Sequence, residues 1–317
     1  MRWVGIDEAG YGPNLGPLVM TAVVAEGPDE RPPSLWDDLA ATVARAGGNA
    51  DRLWVDDSKA LLTGGRGRDR LEAACLAALA ATGCGVPGSL RALLAALDAG
   101  TLDDVELSPW LDAEDWPVPC ADARIRLERA LAAGALAGAP WRLVAVRSVV
   151  VGPARFNAGL AASASKARVH FEAFARLLAG LWERAADGTE TVVRADKHGG
   201  RHFYLEPLHE AFPDIWIDRG PEGPELSRYT LRGPGRRLSL SLVPRADADD
   251  GLVALASIIS KAVREHWMDV FNAHWTARLP DLRPTAGYPN DAPRFRLAIE
   301  AACLARGLAP SVWWREK

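Results

Sequence analysis

Cysteines are few and widely spaced in this 317-residue sequence. There are four, and no two of them form a CxxC pair. A structural zinc site or a disulfide framework is therefore not expected. Cys75 and Cys84 lie in or just after an alanine-rich stretch with helical character. We expect both to be small buried hydrophobic residues.

Long apolar runs and a net positive charge are also missing. No apolar run reaches the length of a bilayer span, and the N-terminus lacks the pattern of a signal peptide. We therefore expect a cytoplasmic protein with no membrane partner. The net charge of −4 and the pI of about 5.9 disfavour a protein that coats nucleic acid through a basic surface. An enzyme that grips a few phosphates locally remains compatible, because the field depends on how charge is distributed.

Apolar positions alternate between strand and helix periods along the chain. We predict strands at residues 2–7, 17–25, 143–151, 190–195, 215–218 and 239–243. We predict helices at residues 69–82, 88–99, 123–137, 163–186, 252–272 and 292–306. Strands that alternate with helices predict the α/β class.

Two segments differ in composition from the predicted core. Residues 98–122 carry eight Asp or Glu and no Lys or Arg, whereas residues 219–245 are rich in Arg and Gly. We predict one domain over residues 1–317, with insertions at about 85–140 and 219–245. The arginines of 228–245 either grip duplex phosphates or decorate a solvated hairpin.

The pair Asp7-Glu8 stands where an apolar strand ends and a glycine-rich turn begins. Neighbouring side chains in a strand point to opposite faces, so the two carboxylates converge only if the backbone turns there. Close carboxylates repel each other, and a divalent cation favours their ionised forms. The pair thus predicts a Mg²⁺ or Mn²⁺ site, unless it merely closes a strand into a solvated turn. Dinucleotide binding is rejected, because the glycine spacing is wrong and the acids would repel a pyrophosphate.

Five ordered blocks of the sequence resemble the type 2 ribonucleases H. Gly5–Val19 is similar to the family motif G-[IV]-D-E-[AV]-G-R-G-x-x-x-G-P-[LV]-V. The later blocks are Asp57–Lys59 (family D-S-K), Asp196–Gly199 (an aspartate three residues before a glycine), Ala246-Asp247 with Ser257–Glu265 (A-D…S-I-I-A-K-V-x-R-D) and Ala286–Pro289 (K-G-Y-x-T). Five matches in the same order are more specific than one.

The resemblance implies a ribonuclease H-like fold, with a central mixed sheet flanked by helices. It implies an endonuclease that hydrolyses the RNA strand of RNA–DNA hybrids to 5′-phosphate and 3′-hydroxyl ends. Two Mg²⁺ or Mn²⁺ ions would clamp the attacking and leaving oxygens. The carboxylates implied to hold them are Asp7, Glu8, Asp196 and Asp247. Asp7 would bridge the two ions, and Asp196 and Asp247 would each complete the coordination shell of one ion. Glu8 would position a metal ion or a ribose 2′-hydroxyl.

Other residues are implied to contact the nucleic acid. They are Gly10, Tyr11, Gly12, Ser58, Lys59, Lys261 and Tyr288. The serine and the lysines would contact phosphates, although an exposed lysine beside a helix start is usually just solvated. Tyr288 would stack on a sugar, or is a common surface tyrosine. His198 and His202 can shuttle protons or approach metal near Asp196, or are incidental. Asp249 and Asp250 compete with Asp247, but only Asp247 has the family spacing.

One position departs from the family pattern, where Gly-Arg-Gly is replaced by Gly10-Tyr11-Gly12. The backbone donors that read ribose 2′-hydroxyls survive this change, whereas the positive charge does not. Two alternatives therefore stay open. The same metal site can act on another nucleic acid, such as structured RNA or branched DNA. The second alternative is a non-catalytic nucleic-acid-binding protein on the same fold. The presence of all four acids disfavours it.

Overall fold

A mixed sheet forms the centre of the computed structural model, which describes residues 1–28, 31–63, 66–100, 110 and 116–316. The strands are β1 (Arg2–Ala9), β2 (Leu18–Glu26), β3 (Val43–Ala44), β4 (Leu53–Trp54), β5 (Arg142–Val151), β6 (Thr191–Asp196), β7 (Trp216–Glu222), β8 (Ser227–Gly233) and β9 (Arg236–Val243). Seven of them pair in the order β5-β2-β1-β6-β9-β8-β7, and β3 pairs with β4. The pairs β1–β6 and β6–β9 are parallel, and the other neighbours in the large sheet are antiparallel.

Helices cover both faces of this sheet. They are α1 (Leu35–Asp38), α2 (Ser58–Leu62), α3 (Gly67–Ala81), α4 (Leu90–Leu97), α5 (Ala121–Ala132), α6 (Pro153–Ser163), α7 (Lys166–Arg184), α8 (Leu205–Ala211), α9 (Ala246–Asp249), α10 (Gly251–Thr276) and α11 (Ala292–Leu304). The expected α/β class, a central mixed sheet flanked by helices, is confirmed. Within the described residues, no helix combines the length and apolar character required to cross a bilayer.

Strand β1 lies inside the sheet, between β2 and β6, with a hydrophobic core on each of its faces. Val4 and Ile6 pack with α7 in one core, and the intervening residue Gly5 faces α10. A Cβ on Gly5 would lie 2.2 Å from the backbone carbon of Leu252, so the helix crosses this strand at direct contact. Both faces of β1 are thereby shielded from water, which explains why its apolar residues do not strictly alternate with polar ones.

The predicted helix over 163–186 is wrong at its start, because two helices meet there. Ala164 has a left-handed φ of 51° and ends α6, and the Ser165 side chain then caps α7 by accepting a hydrogen bond from the Arg168 N–H. A serine with an extended backbone is a preferred N-cap. The predicted apolar face of the second helix is buried, from Val169 to Leu181.

The arginine-rich segment adds strands to the sheet. Its strand β8 was not predicted, because alternating arginines conceal the apolar positions. Tyr229 and Leu231 are buried, whereas Arg228, which precedes Tyr229, and Arg232, which follows Leu231, are exposed. This period of two is what a sheet with one solvated face requires.

The segment between α3 and α5 contains Cys84 and most of the acidic stretch 98–122. Cys84 is exposed rather than buried, since α3 ends at Ala81 and leaves it in the following turn. Of the acidic stretch 98–122, residues 101–109 and 111–115 lie outside the described residues. Trp110 is buried, with its ring 5.2 Å from that of Trp267 and 4.9 Å from that of Phe271.

Candidate active site

Asp7 and Asp196 lie at the same ends of two adjacent parallel strands. Ile6 of β1 pairs with Ala195 of β6, and the two aspartates follow directly. Side chains alternate along a strand. Asp7 therefore shares the α10 face with Gly5, and Asp196 points to that same face because Ala195 packs into the opposite core. Parallel pairing thus brings two carboxylates together that are far apart in the sequence.

Asp247 reaches the same place from the next parallel strand. Asp196 pairs with Val243 near the end of β9, and Arg245, with a left-handed φ of 54°, turns the chain into α9. The backbone N–H of Ala246 donates to Asp196 Oδ1 at 3.4 Å. Burial, followed by the charges of Asp57 and Asp196, raises the pKa of Asp247. Three of the four predicted acids, Asp7, Asp196 and Asp247, therefore lie at this edge of the sheet.

Asp7 is the most deeply buried of these acids, with 7% of its surface exposed. Its pKa is raised well above the ordinary value, because burial and the nearby charge of Glu8 oppose ionisation. Hydrogen bonds from Ser257 and from the Glu8 N–H, the latter at 2.7 Å, favour the ionised form but do not outweigh these effects. The pKa of Asp196 is also raised, mainly by burial. These acids need a compensating cation to ionise together at neutral pH.

Glu8 lies on the other face of the strand. β1 continues to Ala9, so the turn expected at the acidic pair comes later and the two side chains diverge. On its own face, Glu8 Oε1 is 3.4 Å from Nε2 of His170 on α7. Its charge still raises the pKa of both Asp7 and Asp196. Glu8 therefore influences both aspartates electrostatically although its side chain lies on the other face.

A cluster of aromatic rings surrounds His170. Its ring centroid lies 4.7 Å from that of Tyr11 and 4.5 Å from that of His198. Burial holds the pKa of His198 well below its ordinary value, so this ring is neutral. Its own backbone N–H donates to the Tyr204 hydroxyl at 3.0 Å. The sequence singled out His198 and missed His170, whose only signal was a polar residue on the buried face of a helix.

Serine hydroxyls connect Asp7 to two of the sequence motifs. Ser257 Oγ, which hydrogen-bonds the Asp7 carboxylate, lies 3.1 Å from Ser58 Oγ. Ser260 Oγ, one turn further along α10, lies 3.1 Å from the Asp7 backbone oxygen and 2.8 Å from Thr21 Oγ1. Ser58 is buried under this network rather than exposed beside it. Ser58, the serine of the D-S-K block, therefore supports Asp7 indirectly, through Ser257.

The two candidate lysines differ in their surroundings. Lys59 is exposed at the start of α2. Its positive charge partly offsets the rise in the pKa of Asp247. Lys261 is 9% exposed, and its Nζ lies 2.9 Å from Glu265 Oε1. Its ammonium is also 5.9 Å from the ring centre of Tyr288, which is 41% exposed. Lys59 and Tyr288 are thus accessible to a ligand, whereas the Lys261 ammonium already forms an ion pair with the Glu265 carboxylate.

The glycine loop after β1 is fixed by two buried arginines, namely Arg264 of the Ser257–Glu265 block and Arg315, which sequence reasoning did not single out. The Arg315 guanidinium donates to the backbone oxygens of Gly10 and Tyr11. Arg264 Nη2 donates to Leu15 O at 3.2 Å and to Ala286 O at 2.8 Å. These donors occupy carbonyl oxygens of the loop, and its shape is set before any ligand arrives.

The same loop contacts the block that carries Tyr288. The backbone N–H groups of Asn14 and Leu15 donate to Gly287 O at 2.9 and 3.2 Å. Gly287 has a φ of 81°, and a Cβ there would lie 2.7 Å from Leu15 O, so only glycine fits this junction. Hydrogen bonds therefore join the glycine loop, which contains Gly10 and Gly12, to the block that contains Tyr288.

The donor set suits a hard divalent cation, because it consists of carboxylate oxygens. In the described conformation, none of the described His, Cys, Asp and Glu side chains form a group of three or more that could hold a metal ion. The acids repel one another in pairs, as the raised pKa values of Asp7, Asp196 and Asp247 indicate. The donor chemistry therefore fits Mg²⁺ or Mn²⁺, and the side chains would have to close around the ion.

Comparison with known proteins gives structural likenesses. No family model and no curated protein sequence matches the chain. The Archaeoglobus fulgidus ribonuclease HII, solved in complex with PCNA, is 17% identical over 100% of this chain and 95% of that chain, with a TM-score of 0.44. The Pyrococcus horikoshii OT3 ribonuclease H2 is 14% identical over 99% and 92%, with a TM-score of 0.42. The Bst ribonuclease HIII in complex with Mn²⁺ is 14% identical over 99% and 66%, with a TM-score of 0.44. These similar structures are type 2 ribonucleases H, the family whose motifs the sequence resembles.

Proposed function

We propose that this protein is a metal-dependent endonuclease that hydrolyses the RNA strand of RNA–DNA hybrids. The observation that carries the proposal is the meeting of Asp7 and Asp196 on one face, at the ends of adjacent parallel strands, with Asp247 beside them. Burying like charges together is costly unless a cation compensates them. The five family motifs in the sequence support the same activity.

Each acid has a distinct part in the proposed site. Asp7, Asp196 and Asp247 would hold Mg²⁺ or Mn²⁺ through their carboxylate oxygens, and bound ions supply the Lewis acidity and charge neutralisation that phosphodiester hydrolysis requires. Ser257 holds the Asp7 carboxylate through a hydrogen bond. Glu8, which approaches from the other face beside His170, orients metal or a ribose 2′-hydroxyl.

Recognition of the RNA strand falls to the glycine loop and to Tyr288. In an RNA–DNA hybrid, 2′-hydroxyls line the wide, shallow minor groove, and they distinguish RNA from DNA. The backbone of Gly10–Gly12 is fixed by Arg315, so its polar groups are preorganised for such contacts. Tyr288 stacks on a neighbouring sugar, and Lys59 contacts a phosphate next to Asp247.

The test is incubation with Mn²⁺ or Mg²⁺ and labelled duplexes of four kinds: hybrid, DNA with a single ribonucleotide, plain DNA and plain RNA. We expect cleavage of the hybrid, with 5′-phosphate ends. Asp7→Asn should abolish cleavage, whereas Asp249→Asn, an exposed aspartate two residues after Asp247, should retain it. Cleavage of the hybrid by Asp7→Asn, or no cleavage by the wild type with either ion, would contradict the proposal.

A second candidate keeps the metal site and changes the substrate to structured RNA or branched DNA. The observation that favours it is the position of Tyr11, whose ring packs edge-on against His170 and lies 4.9 Å from Lys166 Nζ. An aromatic ring in this place can stack on an unpaired base, whereas an arginine would have supplied a charge. Preference for a branched or looped substrate over the hybrid would favour this candidate.

A further inference from the structure

A second group of basic side chains lies outside the carboxylate site. Arg52, between β3 and β4, Arg70 of α3, and Arg126 and Arg129 of α5 line one pocket, whose floor includes Ala73 and Ala130. Arg66 immediately precedes α3, and its charge lowers the pKa of Arg70 together with burial and the charge of Arg126. The arginine cluster is therefore defined as Arg52, Arg66, Arg70, Arg126 and Arg129.

These arginines lack the acidic partners that others in this chain possess. Arg68, between Arg66 and Arg70, binds Asp269 and approaches Glu265. Across the described residues, the arginine cluster forms no ion pair within 4.0 Å, although Asp51 lines the pocket and the charge of Asp69 reaches Arg70. In a chain with a net charge of −4, five guanidinium groups in this region form a local concentration of positive charge, in which Arg66 and Arg126 repel Arg70. An anionic ligand would relieve their repulsion.

One arginine is already fixed in position. The Arg70 guanidinium lies 3.7 Å from the ring centroid of Trp54, and the indole N–H donates to Asn49 O at 3.0 Å. Stacking on an aromatic face restricts the side chain and leaves the edge of the guanidinium available. Such a group is suited to the oxygens of a phosphate.

The arginine cluster adjoins the carboxylate site through α2 and the start of α3. Lys59, whose charge reaches Asp247, lies one turn before the end of α2. The start of α3 packs directly on that end, since a Cβ on Gly67 would lie 2.4 Å from the Leu62 Cα. A helical turn rises about 5 Å. Basic residues therefore occur in the order Lys59, Arg66 and Arg70 along α2 and the first turn of α3.

We propose that the arginine cluster binds backbone phosphates of the nucleic acid whose scissile bond occupies the carboxylate site. This inference rests on the proposed function for the identity of the ligand. The cluster extends the footprint of the enzyme beyond the cut, and it contributes affinity that is independent of sequence. Arg126 and Arg129, half-buried and exposed respectively on α5, carry part of this contact.

The test is the salt dependence of binding to RNA–DNA hybrids, measured by anisotropy in EDTA so that nothing is cut. Arg126→Ala/Arg129→Ala should lower the slope of log Kd against log salt by about 2, since each lost phosphate contact removes about 1. The loss should be seen with a hybrid of about 30 base pairs and be smaller with one of about 8, which has fewer phosphates beyond the site. The charge-conserving Arg126→Lys/Arg129→Lys should retain the wild-type slope.

The matched control is Arg278→Ala/Arg306→Ala, which removes two charges whose guanidinium groups donate to backbone oxygens near the ends of α10 and α11. We expect its slope to equal that of the wild type. An unchanged slope in the Arg126/Arg129 double variant, or an equal drop in the control, overturns the role of the cluster. Absence of cleavage by the wild type would instead overturn the proposed activity, while a slope difference would still establish the phosphate contacts.

Discussion

Nε2 of His170 lies 3.4 Å from Oε1 of Glu8. The histidine is 1% exposed, and its ring is held between Tyr11 and His198. A ring fixed in this way can donate its N–H to the carboxylate and restrict the directions in which Glu8 points. Loss of a hydrogen-bonding partner behind a metal ligand typically costs about 10- to 100-fold in metal affinity or activity, and the proposed site would give His170 this position behind Glu8. His170 is therefore assigned as a positioning residue for Glu8.

His170→Phe keeps the aromatic packing and removes the nitrogen that faces Glu8. We expect kcat for hybrid cleavage and the affinity for Mn²⁺ to fall, each by about 10-fold or more. Cleavage assays and calorimetric Mn²⁺ titration measure the two effects. His170→Gln, which retains an N–H donor, should recover part of both. The control is His274→Phe, a neutral histidine that packs on Trp275 near the end of α10. Equal losses in the two Phe variants would contradict the assignment.

Asp7→Asn should stabilise the metal-free protein. The carboxyl group is buried, and both its desolvation and the charge of Glu8 oppose ionisation. An amide fills the same space without a charge, so we expect the free energy of unfolding at neutral pH to rise by about 1 kcal/mol. Urea denaturation in EDTA measures this difference. A clear loss of stability would show that the carboxylate supports the fold, contrary to our interpretation.

Gly5→Ala should destabilise the protein through a backbone clash. The added methyl group would lie 2.2–2.3 Å from backbone atoms of Leu252 and Val253, so α10 must move away from β1. We expect a loss of about 3 kcal/mol in the free energy of unfolding. The matched control is Gly180→Ala in α7, where nothing lies within 4 Å, and it should gain up to about 1 kcal/mol. Similar stabilities of the two variants would show that the helix does not touch the strand.

Glu265 should make the stability depend on pH. Burial raises its pKa, but Lys261, Arg264 and Arg68 outweigh burial and leave the pKa below the ordinary glutamate value. The unfolded chain then binds the proton more readily, so the contribution is full above the ordinary value and is lost as pH falls through the lowered one. Glu265→Gln should cost about 2 kcal/mol at pH 7 and nothing in acid. Denaturation of both proteins across this range provides the test, and a pH-independent difference would exclude the ion pair as its source.

The sequence was sufficient where a local pattern determines the structure. The hairpin of β1 and β2, the buried face of α10 and the acidic edge of the sheet all follow from apolar periodicity and family motifs. β8 was missed because Arg228 and Arg232 mask its buried positions. The break at Ala164 was missed because a single left-handed residue leaves no mark on the periodicity.

The interior of the candidate site was less accessible to sequence reasoning. His170 and Arg315 act through contacts with residues far away in the chain, and neither belongs to a recognisable motif. The alternation of Asp7 and Glu8 onto opposite faces depends on whether the strand ends before or after them. Only the pairing of β1 with β2, in which Asp7 pairs with Thr21 and Glu8 with Met20, shows that the strand continues past both acids.

The grip of Arg315 on the glycine loop has a consequence for biosynthesis. The arginine binds a backbone oxygen of Gly10, which precedes it by 305 residues. During translation the nascent loop must wait for this arginine before its shape is fixed. Until Arg315 has been synthesised, the backbone of Gly10 and Tyr11 lacks the hydrogen bonds that hold it in the folded chain.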